Sequence, residues 1–157
     1  MDLDPKWVVG FVDGEGCFYI GVNRHPEMAT GYQVLPEFRV VQHQRDIQIL
    51  YGLKRFFRFG VVRRNHGDRY EFRVRKLKSL VKLCEFFTKN PLKTKKAIEF
   101  KRFQRVINLM KEGKHLTLSG LLRIVTIAEK MNRSNSHLLG QIRKELKAKL
   151  DKDIVHT

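Results

Sequence analysis

The sequence predicts an α+β fold: one four-stranded antiparallel sheet, helices packed on one face, and further helices at the C-terminus. Three observations carry this. Alternating apolar and polar residues mark strands at 17–24 and in the second arm of 59–76, and 32–43 and the first arm of 59–76 read as their partners. Helical periodicity separates the two strand pairs and follows the second, giving the order αββαββα and then extra helices. The 157 residues, 42% of them hydrophobic, suffice for a real core, so wholesale disorder is not expected. The expectation is a single domain over 1–157, with its core at about 4–112 and C-terminal helices at about 117–150.

Asp4 and Pro5 fit the N-cap and first turn of a helix running to about Glu15. In CFYIGVNR (17–24), Phe18, Ile20 and Val22 face one way, and Cys17, Tyr19, Gly21 and Asn23 the other. HPEMATG is a loop. YQVLPEFRVVQH (32–43) is the second strand, and Pro36 suggests an edge or a bulge. RDIQILYGLKRFF places Ile47, Leu50, Leu53, Phe56 and Phe57 on one helical face. FGVVRRNHGDRYEFRVRK reads as a hairpin turning at NHGD, its second arm alternating Tyr70, Phe72 and Val74 with Arg69, Glu71, Arg73 and Arg75. SLVKLCEFF is helical, and Asn90-Pro91 ends it. Helices are expected over about 94–111, 117–131 and 136–149, the last with its cap at 134–136.

Net charge is +16, from 32 Lys/Arg against 16 Asp/Glu. Such an excess raises affinity and on-rate for a polyanion, above all nucleic acid. No apolar run approaches the roughly 20 residues that span a bilayer, so no membrane partner is expected. MDLDPKW is acidic and short, unlike a signal peptide. Cys17 and Cys84 are too few for a disulfide framework or a zinc cluster. The chain therefore reads as intracellular, reduced and not secreted. No Gly-rich phosphate loop, nucleophile triad or His/Cys metal spacing points to a small-molecule substrate.

The sheet face opposite the core would hold Tyr19, Asn23, Gln33, Glu37, Arg39, Arg63, Asn65, Arg69, Glu71, Arg73 and Arg75. An Arg-rich face suits a nucleic-acid groove, because Arg both reads guanine edges and grips phosphates. The plainer alternative is a solvated polar face.

VVGFVDGEG (8–16) is unusual for a helix. Gly10 and Gly14 each cost about 1 kcal/mol of helix stability relative to Ala. They share a face with Trp7 and Phe11, where missing side chains let another helix approach closely. The most economical partner is the same helix of a second copy, in a two-fold interface; the alternative is another helix of the same chain. Asp13 and Glu15, two apart on a helix, point in nearly opposite directions and do not form one acid/base pair. Glu15 projects past the helix end, where bare carbonyls add partial negative charge. Carboxylate and carbonyl oxygens together suit a hard divalent cation such as Mg²⁺. Two such ends side by side would hold metal ions at the scissile phosphates of a duplex.

This stretch resembles the motif of the LAGLIDADG homing endonucleases without a gap over all nine positions. Gly10 and Gly16 match, Asp13 matches the first acid, and Glu15 stands where the family usually has Asp. The element order extends the resemblance over most of the chain. It implies Glu15 as metal ligand with the Gly14 carbonyl beside it. It implies Gln42 as an organiser of metal-bound water. It also implies a lysine near the active site within PLKTKKAIEF, Lys95 being the match and Lys96 its competitor. Arg45 matches a further basic residue only with a gap. Asp13 is expected to be structural, near a dimer interface of Trp7, Gly10, Phe11 and Gly14.

A single motif implies a homodimer on double-stranded DNA. The resemblance implies a saddle-shaped sheet, each copy's sheet straddling a half-site of about one helical turn. The resemblance implies metal-dependent cleavage of both strands of a long pseudo-palindrome across the minor groove, leaving short 3′ overhangs. Mg²⁺ is the expected cofactor, with Mn²⁺ substituting. The expected location is an organelle (chloroplast or mitochondrion) or a prokaryotic cytoplasm. The rival on the same scaffold is an RNA-splicing maturase that binds intron RNA. A basic RNA-binding protein of ribosomal type gives the glycine pair and the acidic helix end no purpose.

Overall fold

The computed structural model describes residues 1–131 and 134–156. Helix α1 (Pro5–Glu15) leads into β1 (Gly16–Arg24) and β2 (Tyr32–His43). Then come α2 (Ile47–Phe57), β3 (Val61–His66), β4 (Arg69–Val74), α3 (Leu77–Lys89), α4 (Lys96–Lys111), α5 (Leu118–Met131) and α6 (Ser136–His156). The strands form one sheet in the order β1-β2-β4-β3, with β4 antiparallel to both β2 and β3. This is the α+β order the sequence predicts. Contacts divide the chain into two compact units, residues 1–18 with 37–101 and residues 19–36 with 102–157.

In the first unit the Asp4 carboxylate caps α1, accepting from the Lys6 N–H at 2.7 Å, and Pro5 occupies the first turn. Val8, Val9 and Val12 are buried. The chain passes from helix to strand at Gly16 with no room for a side chain: a Cβ there would lie 2.7 Å from Val12 Cγ1 and 2.9 Å from the Val12 carbonyl oxygen. The core is aromatic. Phe18, Phe38 and Phe72 from the strands meet Phe87 of α3, and Phe100 of α4 lies 5.5 Å from Phe18 between ring centroids. Burying such rings yields about 1.5–3 kcal/mol each. Gly60, at φ +90°, lets the backbone pass beside Phe72, whose ring a Cβ would meet at 2.5 Å.

In the second unit α5 packs on α6, burying Leu121, Ile124, Val125 and Ala128 on the one and Leu139, Ile142 and Leu146 on the other. Ile20, Val22, Tyr32 and Val34 are buried on the strand segments. The Tyr32 hydroxyl donates to Glu145 at 2.5 Å, and Arg24 donates to the same carboxylate at 2.6 Å. Burial, then the bond to Glu145, pushes the Tyr32 phenol up to about 12. The Arg24 and Tyr32 hydrogen bonds hold the Glu145 carboxyl below its usual range.

Pro36 lies in a stretch of β2 that has no β4 partner beside it, a locally edge-like position that tolerates proline. The ladder to β4 begins only at Phe38, so the missing Pro36 N–H removes no bond to β4, and the register shift falls in β3 between Arg64 and His66. Helix α6 continues to His156 rather than ending near 149. No helix among the described residues is long and apolar enough to cross a membrane.

Candidate functional site

The end of α1 carries the chemistry-bearing residues. Glu15 is exposed and makes no hydrogen bond or ion pair among the described residues. Asp13 turns elsewhere: its carboxylate accepts from the Lys93 N–H at 2.9 Å, the Thr94 N–H at 3.2 Å and the Thr94 hydroxyl at 2.9 Å. Burial acts to raise the Asp13 pKa, but these bonds and the Lys96 charge outweigh it and hold the carboxyl below its ordinary value. The tether fixes the start of α4. From there Lys96 Nζ donates to the Gly16 carbonyl at 2.5 Å, while Lys95 stays exposed. Of the two candidate lysines, Lys95 and Lys96, it is Lys96 that contacts the motif strand end in the single chain.

Gln42 sits half-buried near the end of β2, opposite Tyr70 of β4. The next residue, His43, pins this strand end. Its Nδ1 accepts from the Arg45 N–H at 3.1 Å, which leaves the proton on Nε2 to donate to Asp68 at 2.8 Å. The Gln44 N–H donates to the Asp68 carbonyl at 2.8 Å, so the hairpin tip and the strand end are joined. Sequence reading missed His43 and Asp68, which are 25 positions apart. Arg45 is exposed.

The Arg-rich face of the first unit is internally ordered. Glu37 and Glu71, expected as exposed contacts, are only 6% and 5% exposed. Arg75 Nε donates to Glu37 at 2.8 Å, and Arg39 lies 3.6 Å from it. Arg63, Arg73 and Asn65 approach Glu71 at 3.6, 3.9 and 3.2 Å. Burial and then the neighbouring Arg75 and Arg63 charges lower the Arg73 pKa. Arg69 is exposed and makes no ion pair among the described residues. In the second unit, Asn23 is exposed and Gln33 half-buried. The Tyr19 hydroxyl already accepts from Asn135 at 3.0 Å.

The glycine face of α1 is open. A Cβ on Gly10 or on Gly14 would meet nothing within 4 Å. Trp7 is 43% exposed and stacks on Phe11 with ring centroids 4.9 Å apart. Close packing of this face against another described helix of the same chain is therefore absent.

The donor set at the α1 end fits an oxygen-preferring divalent cation: a carboxylate without a protein partner beside the last helix carbonyls, which lack intrahelical partners. One chain supplies few ligands. Among the described residues no three His, Cys, Asp or Glu side chains gather to hold a metal.

The sequence model described as LAGLIDADG endonuclease matches residues 8–107, and the chain belongs to that family. Among solved structures it is similar to a homing endonuclease, I-TnaI. The two share 60% identity and a TM-score of 0.90, over 93% of this chain and 99% of that one. It is also similar to I-SmaMI bound to an uncleaved DNA target in the presence of calcium ions, at 33% identity and a TM-score of 0.82. That match covers 84% of this chain and 46% of the other. A probable intron-encoded endonuclease 3 of Neurospora crassa is 33% identical over 88% of this chain and 26% of its own length. An uncharacterized 50.9 kDa protein in ND4 intron 1 of Podospora anserina is 32% identical over 73% of this chain. The chain spans about a quarter (26%) of the length of these two relatives.

Proposed function

We propose that this chain is a site-specific DNA endonuclease that binds duplex DNA as a homodimer and breaks both strands by metal-dependent phosphodiester hydrolysis. The observation that carries the reading is the α1 end: an unpartnered, exposed Glu15 at the tip of a helix whose Gly10/Gly14 face is open. A two-fold partner on that face would set two Glu15 carboxylates side by side. The ordered arginines of β2, β3 and β4 supply the groove-facing surface, with Arg69 unpaired among the described residues. Glu15 and the Gly14 carbonyl would hold Mg²⁺ or Mn²⁺. Such an ion supplies Lewis-acid stabilisation of charge at the scissile phosphate. Gln42 lies on the strand end pinned by His43, suited to orienting water. Lys96, held by the Asp13 tether, adds fixed positive charge where the leaving oxygen needs it. The family's intron-encoded members support an intracellular setting.

Glu15→Gln keeps size and polarity but removes the charge. Cleavage of a target selected from a random duplex library should be abolished. Affinity should stay within about threefold, because phosphate contacts from Arg and Lys supply most of it. Wild-type nicking by this variant would overturn the metal-ligand role.

A further inference from the structure

One aliphatic side chain stands on the polar face of the strands in the second unit. Along β1 and β2, Ile20, Val22, Tyr32 and Val34 are buried on the core side. The alternate residues Tyr19, Gly21, Asn23, Gln33 and Leu35 fall on the other side. Leu35 is 40% exposed there. Gly21 lies beside it on the neighbouring strand: a Cβ on Gly21 would meet Leu35 Cβ at 3.7 Å and Tyr19 Cε1 at 3.3 Å. The Tyr19 ring is fixed in turn by the bond from Asn135 to its hydroxyl. Leu35, the bare Gly21 backbone and the edge of the Tyr19 ring therefore form one small apolar patch. Asn23 and Gln33 share its face and are polar.

A lone exposed leucine needs no explanation on a solvated surface. On a face laid in the major groove of a duplex, it must meet a base edge, and the edges are not equivalent to it. Guanine presents N7 and O6, adenine presents N7 and its N6 amino group, and cytosine presents its N4 amino group. An aliphatic chain laid over any of these excludes water and leaves the polar atom unpaired, which is costly. Thymine alone presents a methyl group, at C5. We propose that Leu35, backed by Gly21 and the Tyr19 ring, reads the C5-methyl of one thymine in each half-site, a contact that rests on the duplex-binding role proposed above.

The first arm of the test needs no variant. A duplex target is selected from a random library with the full wild-type chain. Each thymine in it is then replaced in turn by deoxyuridine, which removes only the methyl group. One thymine position per half-site should lose about three- to fourfold in affinity, the worth of one buried methyl. At that position, 5-methylcytosine paired with guanine should bind more tightly than unmodified cytosine. Leu35→Ala should bind the thymine and deoxyuridine duplexes within about 1.5-fold of each other, with the salt slope unchanged because no phosphate contact is lost. Leu35→Gln, which suits the polar face, is the second variant and should lose the methyl effect in the same way. Losses below about 1.5-fold at every thymine of a duplex that the chain binds and cleaves would overturn the methyl contact and leave the endonuclease reading standing. A methyl effect undiminished in both variants would overturn the assignment to Leu35. Failure to select any duplex would overturn both readings.

Discussion

The Asp13 carboxylate accepts from the Thr94 hydroxyl at 2.9 Å, joining two residues 81 positions apart. The same carboxylate takes the Lys93 and Thr94 N–H groups, so the segment leading into α4 hangs on the motif helix. Lys96, two residues on, is thereby placed over the Gly16 carbonyl.

Asp13→Ala hands those exposed amides to water and should cost about 0.5–1.5 kcal/mol of stability. It should also slow cleavage through kcat more than KM, with DNA affinity kept, because Lys96 loses its anchor. Asp13→Asn, which keeps an acceptor, should recover much of both. Denaturant melts and steady-state cleavage read the two effects. The pH dependence has a definite sign. Asp13 titrates below its ordinary 3.8 when folded, so its contribution is fully present above that value. It is lost as pH falls through the lower folded value, and in Asp13→Ala this part of the acid sensitivity should vanish.

Lys96→Ala should reduce cleavage more than tenfold with binding kept within a fewfold, while Lys95→Ala should resemble wild type in single-turnover assays. The reverse result would show that the contact with Gly16 is structural and that the exposed lysine does the work.

Much of this arrangement was legible in the sequence, and the gaps have a common cause. Strand β2 falls at the expected 32–43, where the aromatic and β-branched residues Tyr32, Val34, Phe38 and Val40 recur on one face. The alternating arm Arg69–Val74 likewise buries Phe72 and Val74, although Tyr70 is only half-buried. Helix α4 begins at Lys96, beside the expected start near 94, with the Thr94 hydroxyl accepting from the Lys96 N–H at 3.2 Å; what no local pattern encodes is the long-range bonding of the Lys93 and Thr94 amides to Asp13. Glu37 and Glu71 follow the same logic. Period-2 reading puts them correctly on the polar face, but their burial comes from arginines on neighbouring strands. His43 with Asp68 was invisible because pairing a strand end with a hairpin turn requires the sheet order.

Glu71 holds Arg63 and Arg73 in place rather than offering itself to a ligand. Glu71→Ala should therefore raise non-specific DNA affinity and steepen its salt dependence, since two cations are released. It should also relax sequence preference by about 1–3 kcal/mol at the positions those arginines read. Arg69→Ala, removing an unpaired cation, should weaken all sequences alike. Binding titrations over a salt series on matched and single-substituted duplexes separate these outcomes. Unchanged preference in Glu71→Ala would mean that the ordered arginines do not read bases.

The glycines of α1 make opposing demands on one chain and on two. A Cβ at Gly10 meets nothing within 4 Å in the single chain, and the helix gains about 1 kcal/mol when Ala replaces Gly. Gly10→Ala should thus raise the thermal stability of the isolated chain. A two-fold partner packed backbone to backbone on the Gly10/Gly14 face has no room for that methyl, so the same substitution should weaken self-association. Gly10→Leu should abolish it and stop double-strand cleavage. The stacked Trp7 and Phe11 rings flank the contact, so Trp7 fluorescence should shift on association in the wild type and not in Gly10→Leu. Sedimentation at several concentrations, run beside thermal melts at a concentration where the chain is monomeric, tests both halves. A Gly10→Leu chain that still self-associates and cuts both strands would place the partner on another surface.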